Sequence, residues 1–401
     1  MTVKALPRGP RGHVFLGSGS DFGRDQLGFY AACAREYGDL VPVRLGPRRA
    51  LLVYHPDAIE EILVVRNRDF IKSPGVRLLL RPLIGNGLFL SEGEFWLRQR
   101  RLVQPAFHRQ RIAAYGQVMI SYAQRRLAKW KDGDVVDVHA EMMTLTQEIV
   151  AKTLFDADVS DESYAIAQAS NVLAADFGSR LRSMVQFVPL WVPTPGNLRT
   201  GRALRHLDRV VYRMITARRR TSEDRGDLLS MLLHAQDADD GSHMSDEVVR
   251  DEVMTLFMAG HETTAVALSW TWYLLAQHPE VEARLAEELR TVLGDRVPVV
   301  ADLPTLRYAE MIVSESLRLY PPAYALARQA VKPSEVAGHP LAPGLVVIMR
   351  RGSCIAIPAG STIPRRFVPS AGPTASPADC RAVHISPSAL APASASAARS
   401  R

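Results

Sequence analysis

Ala259-Gly260-His261-Glu262-Thr263-Thr264 sits in the middle of the longest helical period of this 401-residue chain. Apolar residues recur three and four apart from Asp246 to Gln277, which predicts one long helix. Its centre holds the two smallest side chains, and a glycine there costs about 1 kcal/mol relative to alanine. Thr263 and Thr264 can turn their hydroxyls onto the preceding turn and loosen the helix. Small residues, an acid and a hydroxyl leave room for a small ligand and supply a proton path. The alternative on this stretch alone is a close crossing of two helices at Gly260, and both readings stay open here. A zinc-protease reading fails, because the second histidine it needs would stand where the chain has Ala265.

Working outward, Glu315 and Arg318 lie three apart on a segment from 306 to 319 that stops at Pro321-Pro322. Alone they could be a surface ion pair worth about 0–1 kcal/mol. Their neighbours Ile312, Val313, Leu317 and Leu319 predict partial burial instead. Trp96 and Arg100 are four apart, which places an indole and a guanidinium on one helical face suited to a carboxylate.

The period elsewhere predicts helices at 26–37, 57–65, 94–103, 110–131, 138–155, 161–175, 201–221, 226–234 and 279–293. A hairpin is expected at 41–45 and 50–54 around Gly46-Pro47, with strands at 325–331 and 345–349. The fold class is therefore mainly α with a minor β-sheet. Residues 1–349 form one domain in this reading and 350–401 a tail. That tail has seven arginines against one acid, Asp379, and contains no Glu, Lys, Asn, Gln, Tyr or Trp. It carries most of the formal charge of +7, so the remainder is nearly neutral and gives no reason to expect nucleic-acid binding. By composition it reads as disordered. No apolar run is long enough to span a membrane, the first residues lack a secretory core, and three scattered cysteines make no disulfide framework. A cytoplasmic protein is expected.

In this order and spacing, these elements resemble the cytochrome P-450 family of haem-thiolate monooxygenases over about residues 5–349. The resemblance implies that Ala259, Gly260, Glu262 and Thr263 form the family's oxygen-binding groove with its acid–alcohol pair. It makes Glu315 and Arg318 the helical pair that braces the haem-side core. Trp96 and Arg100 become the pair that meets a haem propionate, and Arg328 a second propionate contact. It further implies a haem cofactor and insertion of one atom of O2 into an apolar small molecule. Electrons would come from a separate protein of ferredoxin or flavodoxin type, and the chain would act as a monomer. Substrate walls are expected at 78–88 and 177–192, with Phe187 and Trp191 among them.

One part of the pattern is missing. The family carries a Phe-x-x-Gly-x-Arg-x-Cys-x-Gly loop whose thiolate binds the iron, and neither Cys354 nor Cys380 has those neighbours. No residue of the chain as it stands is thus a metal ligand. A one-base shift restores the loop on paper. If each codon takes the third base of one codon as read and the first two of the next, 386–397 can read Phe-Pro-Phe-Gly-Ala-Gly-Pro-Arg-Gln-Cys-Ile-Gly. The cysteine then falls at Ala395. The same shift turns 351–361 into Pro-Trp-Phe-Val-His-Arg-Asp-Pro-Arg-Trp-Phe and 367–372 into Phe-Arg-Pro-Glu-Arg-Trp. All three resemble family segments in the right order. Two rival readings are a truncated, non-catalytic helical protein without haem thiolate, and a helical binding module whose basic tail meets acidic surfaces.

Overall fold

The computed structural model describes residues 7–156, positions 169, 172, 173, 176 and 180, and residues 190–221, 224–237 and 239–350. The expected 161–175 helix and the tail lie outside them, apart from those single positions. Two compact units emerge. Among described residues one comprises those up to 97, from 169 to 209 and from 323 to 350; the other comprises 98–156 and 210–322.

The first unit is organised by a five-stranded sheet in the order β1 (Leu40–Leu45), β2 (Arg48–Val53), β7 (Val346–Met349), β4 (Leu326–Ala330) and β3 (Phe70–Lys72). The Gly46-Pro47 hairpin forms as expected, with φ of +62° at Gly46 suiting glycine. β7 runs parallel to β2 and antiparallel to β4, so the last described strand is held on both sides. One face of this sheet packs Leu51, Val53, Val347 and Met349 with Ile62 and Phe70. The other packs Val41, Val43, Ala50 and Leu52 with Tyr30, Cys33 and Tyr54 from the preceding helix and strand end. A separate hairpin of β5 (Ser334–Val336) and β6 (His339–Leu341) turns at Ala337 and Gly338, both at positive φ. The expected 57–65 helix is α-helical only over Pro56–Glu60 and widens to a π-turn over Glu61–Val65.

The second unit is helical. The predicted Asp246–Gln277 helix forms over its full length. Ser245 accepts a hydrogen bond from the Val248 N–H, and Asp246 and Glu247 occupy the first turn, where the helix dipole favours acids. It packs on the Val138–Phe155 helix through Ala265 against Leu145 and Met142. Its C-terminal half packs on the Arg307–Leu319 helix through Leu274 and Leu275 against Tyr308 and Ile312. Just beyond that helix Tyr320 stacks on Trp270, with ring centroids 4.0 Å apart.

Candidate functional site

On the Asp246–Gln277 helix the motif divides by face. His261 is fully buried, donates from Nδ1 to the Phe257 carbonyl at 2.8 Å, and has its ring 5.0 Å from Phe257. Burial holds its imidazole below the ordinary histidine range, in the neutral form. Thr146 of the neighbouring helix donates to the His261 carbonyl at 3.0 Å and clamps that side. Ala259, Thr263 and Thr264 are exposed on the other side, and Glu262 is half-buried between the two faces. Burial raises the Glu262 carboxyl above the usual carboxylate range.

Thr263 donates its hydroxyl proton to the Ala259 carbonyl at 2.6 Å, and Thr264 donates to Gly260 at 2.7 Å. Both threonines therefore keep oxygen lone pairs facing outward and draw two carbonyls into side-chain bonds. A Cβ built on Gly260 would meet Val150 Cγ2 at 3.4 Å, an ordinary contact. An alanine would fit against the Val138–Phe155 helix there, so the crossing at Gly260 does not require glycine.

Glu315 and Arg318 form the expected pair with two parallel bonds, 2.6 Å from Nε to Oε2 and 2.7 Å from Nη2 to Oε1. Glu315 is 7% exposed, so this is not a surface pair. Thr271 donates to Ser316 Oγ at 2.9 Å and ties the paired turn to the long helix. Glu288 caps the start of the Arg307–Leu319 helix by accepting from the Tyr308 and Ala309 N–H groups at 2.7 and 3.0 Å.

In the first unit Arg328 lies on β4 opposite Lys72 on β3. Arg328 is half-buried, and burial lowers its affinity for the proton while Glu92 opposes that effect. Lys72 donates to the carbonyls of Leu88 and Ser91 at 3.0 and 2.7 Å, and its ammonium lies 5.7 Å from the Trp96 ring centroid. The Glu92 carboxylate accepts from the Lys72 N–H at 2.6 Å. Trp96 and Arg100 are one turn apart on the Gly93–Val103 helix. The structure thus gathers Arg328, Lys72, Glu92 and Trp96. Lys72 escapes a sequence reading because only strand register sets it opposite Arg328, and no local motif marks it.

Two expected substrate-wall segments change. In 78–88, which begins within the Pro74–Ile84 helix, Leu83 and Ile84 are core residues while Leu78 is 64% exposed. Trp191 is 82% exposed. Phe187 lies outside the described residues.

The fit to a haem is therefore partial. An exposed strip with an acid and an alcohol suits the oxygen side, and the cations near Trp96 suit carboxylates. The iron has no matching ligand. Cys33 is the one cysteine among the described residues, and burial among Tyr30, Val41 and Tyr54 pushes its thiol up to about 11. No cluster of three metal-binding side chains occurs among the described residues.

The family profile described as Cytochrome P450 matches residues 7–369. Cyclooctatin synthase of Streptomyces melanosporofaciens is 38% identical over 341 residues, covering 84% of this chain and 72% of the relative. Cyclooctat-9-en-7-ol 5-monooxygenase of the same organism is 37% identical, covering 85% and 74%. Pentalenene oxygenase of Streptomyces avermitilis is 36% identical, covering 79% and 70%.

Proposed function

Since the chain belongs to the cytochrome P450 family of haem-dependent monooxygenases, we propose that its intact form inserts one oxygen atom of O2 into an apolar cyclic alkene or alkenol. The observation that carries this reading is the exposed Ala259–Thr263 strip flanked by the half-buried Glu262 carboxyl, whose proton affinity burial raises. The substrate class rests on the names of the relatives, cyclooctat-9-en-7-ol 5-monooxygenase and pentalenene oxygenase.

When bound, the haem supplies oxygen activation; the chain supplies position and protons. Arg328, Trp96 and Arg100 would hold its carboxylates, with Lys72 beside them. Thr263 Oγ1, its proton directed at Ala259, presents an acceptor lone pair at the strip, and the Glu262 carboxyl, its proton affinity raised by burial, stands one residue away to relay protons. Electrons come from a separate ferredoxin- or flavodoxin-type protein, and the enzyme works as a monomer in the cytoplasm. No helix among the described residues is long and apolar enough to cross a membrane.

The chain as read is inactive, because its iron ligand is encoded one base out of frame. β7 keeps its pairing and its core side chains through Met349, and the shifted reading starts at 351, which supports loss of one base near Met349–Arg350. The domain in its readable frame is 1–349 and the tail 350–401 is a mistranslation. Two tests follow. Nucleotide sequencing should find a cysteine codon opposite Ala395 in the shifted frame; a stop codon before it overturns the slip. The frame-restored enzyme, given a ferredoxin and its reductase, should convert a cyclic alkene to a product one oxygen heavier. Turnover of polar substrates alone would overturn the substrate class.

A further inference from the structure

The Pro195–Thr221 helix presents an unusual outer face. Ala203, Leu204, Leu207, Val210 and Val211 bury one side. On the first half of the opposite side stand Leu198, Arg202, Arg205 and Arg209, with Arg199 at its margin, all exposed. None of these four arginines forms an ion pair with a described residue, and the helix contains a single acid, Asp208. A solvated helix normally mixes signs, as the Pro279–Leu293 helix of this chain does with Glu280, Glu282, Arg284, Glu287, Glu288 and Arg290. A single-sign face of this kind is an electrostatic footprint.

The approach to the helix carries a second observation. Trp191 is 82% exposed and Leu198 46%. The loop that bears Trp191 is fixed to the first turn. Asn197, itself buried, donates from Nδ2 to the Val192 carbonyl at 2.8 Å. The Asn197 N–H donates to Thr194 Oγ1 at 3.1 Å, and the Leu198 N–H to the Thr194 carbonyl at 2.9 Å. The indole stands in water beside that turn, at the end of the arginine face.

We propose that this face docks on an anionic lipid surface, with Arg199, Arg202, Arg205 and Arg209 on lipid phosphates and Trp191 and Leu198 in the layer beneath. Guanidinium groups bind phosphate oxygens in pairs and tolerate partial desolvation better than ammonium groups. Indole rings settle at the boundary between headgroups and acyl chains. A nucleic acid would use the arginines but offers nothing to the leucine, whereas a bilayer satisfies both chemistries. The attachment is peripheral and salt-sensitive.

Co-sedimentation of the full chain with vesicles tests it. Binding should be strong to phosphatidylcholine vesicles containing phosphatidylglycerol, weak to pure phosphatidylcholine, and released by raised salt. Each basic residue at such a surface contributes about five-fold in affinity, so Arg202→Glu/Arg205→Glu/Arg209→Glu should lose at least about ten-fold. The replaced side chains are exposed, and circular dichroism should show the fold retained. Emission of Trp191, read as the difference between the parent chain and Trp191→Phe, should move to the blue on anionic vesicles. Equal binding to neutral vesicles, no binding to anionic ones, or unchanged binding by the triple variant would overturn the proposal. An acidic protein as the true partner would give the second of these results.

Discussion

Thr263, Glu262 and Gly260 each do one separable thing. Thr263 aims its proton along the helix and its lone pairs outward. Thr263→Val in the frame-restored enzyme, close in shape but without the hydroxyl, should lower product formation by about 100-fold or more, the usual scale for losing a positioned proton-transfer group. Product per electron consumed is the measurement. Glu262 is a pH-dependent element. Its folded-state affinity for the proton is raised by burial, so the folded chain binds more protons than the unfolded chain just above the ordinary carboxylate range. Stability from this group is therefore present at low pH and lost as pH rises through that raised value. Urea melts of the parent across weakly acidic pH should show this decline, and Glu262→Gln should flatten it. Gly260→Ala separates groove from crossing. The added methyl meets only Val150 at 3.4 Å and gains helix propensity, so stability should rise by up to about 1 kcal/mol. A loss of stability would restore the crossing reading.

At the scale of elements, a few buried charged contacts are costly to break. Glu315 is nearly sealed while Arg318 remains about one-third exposed, so removing the acid strands a partly solvated cation. Glu315→Gln should cost about 3 kcal/mol, the low end for a broken buried pair, measured by chemical unfolding. Asp227 does two things: it accepts from the Ser230 N–H at 2.8 Å as the cap of the Leu228–His234 helix, and it pairs with buried Arg218. The elements most visible in the sequence were those with local causes. Ser245 and Pro279 bracket the long helix, Pro321-Pro322 follows the Glu315–Arg318 helix, and Gly46 marks the hairpin. Where causes are non-local the reading fell short. Pro195-Gly196 looks like a break, yet proline at the first turn lacks only an N–H that a helix start leaves unbonded anyway, so that helix begins at Pro195 and not at 201. β3 is three residues long and exists because β4 lies beside it. Lys72 entered the candidate site through that pairing, and the exposure of Trp191 is a tertiary outcome that no local motif marks.

At the scale of the whole molecule, the same chain carries the exposed Ala259–Thr263 strip proposed for the oxygen side and no iron ligand among the described residues. The first follows from the 246–277 helix, whose determinants are local and read directly. The second follows from a region whose amino acids do not encode the family's loop in the frame given. A chain without its ligand forgoes the stabilisation that a tightly held cofactor adds to the folded state, so the frame-restored protein should melt higher and the difference should vanish when haem is withheld during expression. The most direct measurement compares carbon-monoxide difference spectra of the two reduced proteins, the chain as read and the chain with one base restored near codon 350. The account predicts the thiolate-type band in the restored protein and none in the chain as read. A thiolate band from the chain as read, or its absence from a folded restored protein whose shifted frame encodes the cysteine at 395, would contradict it.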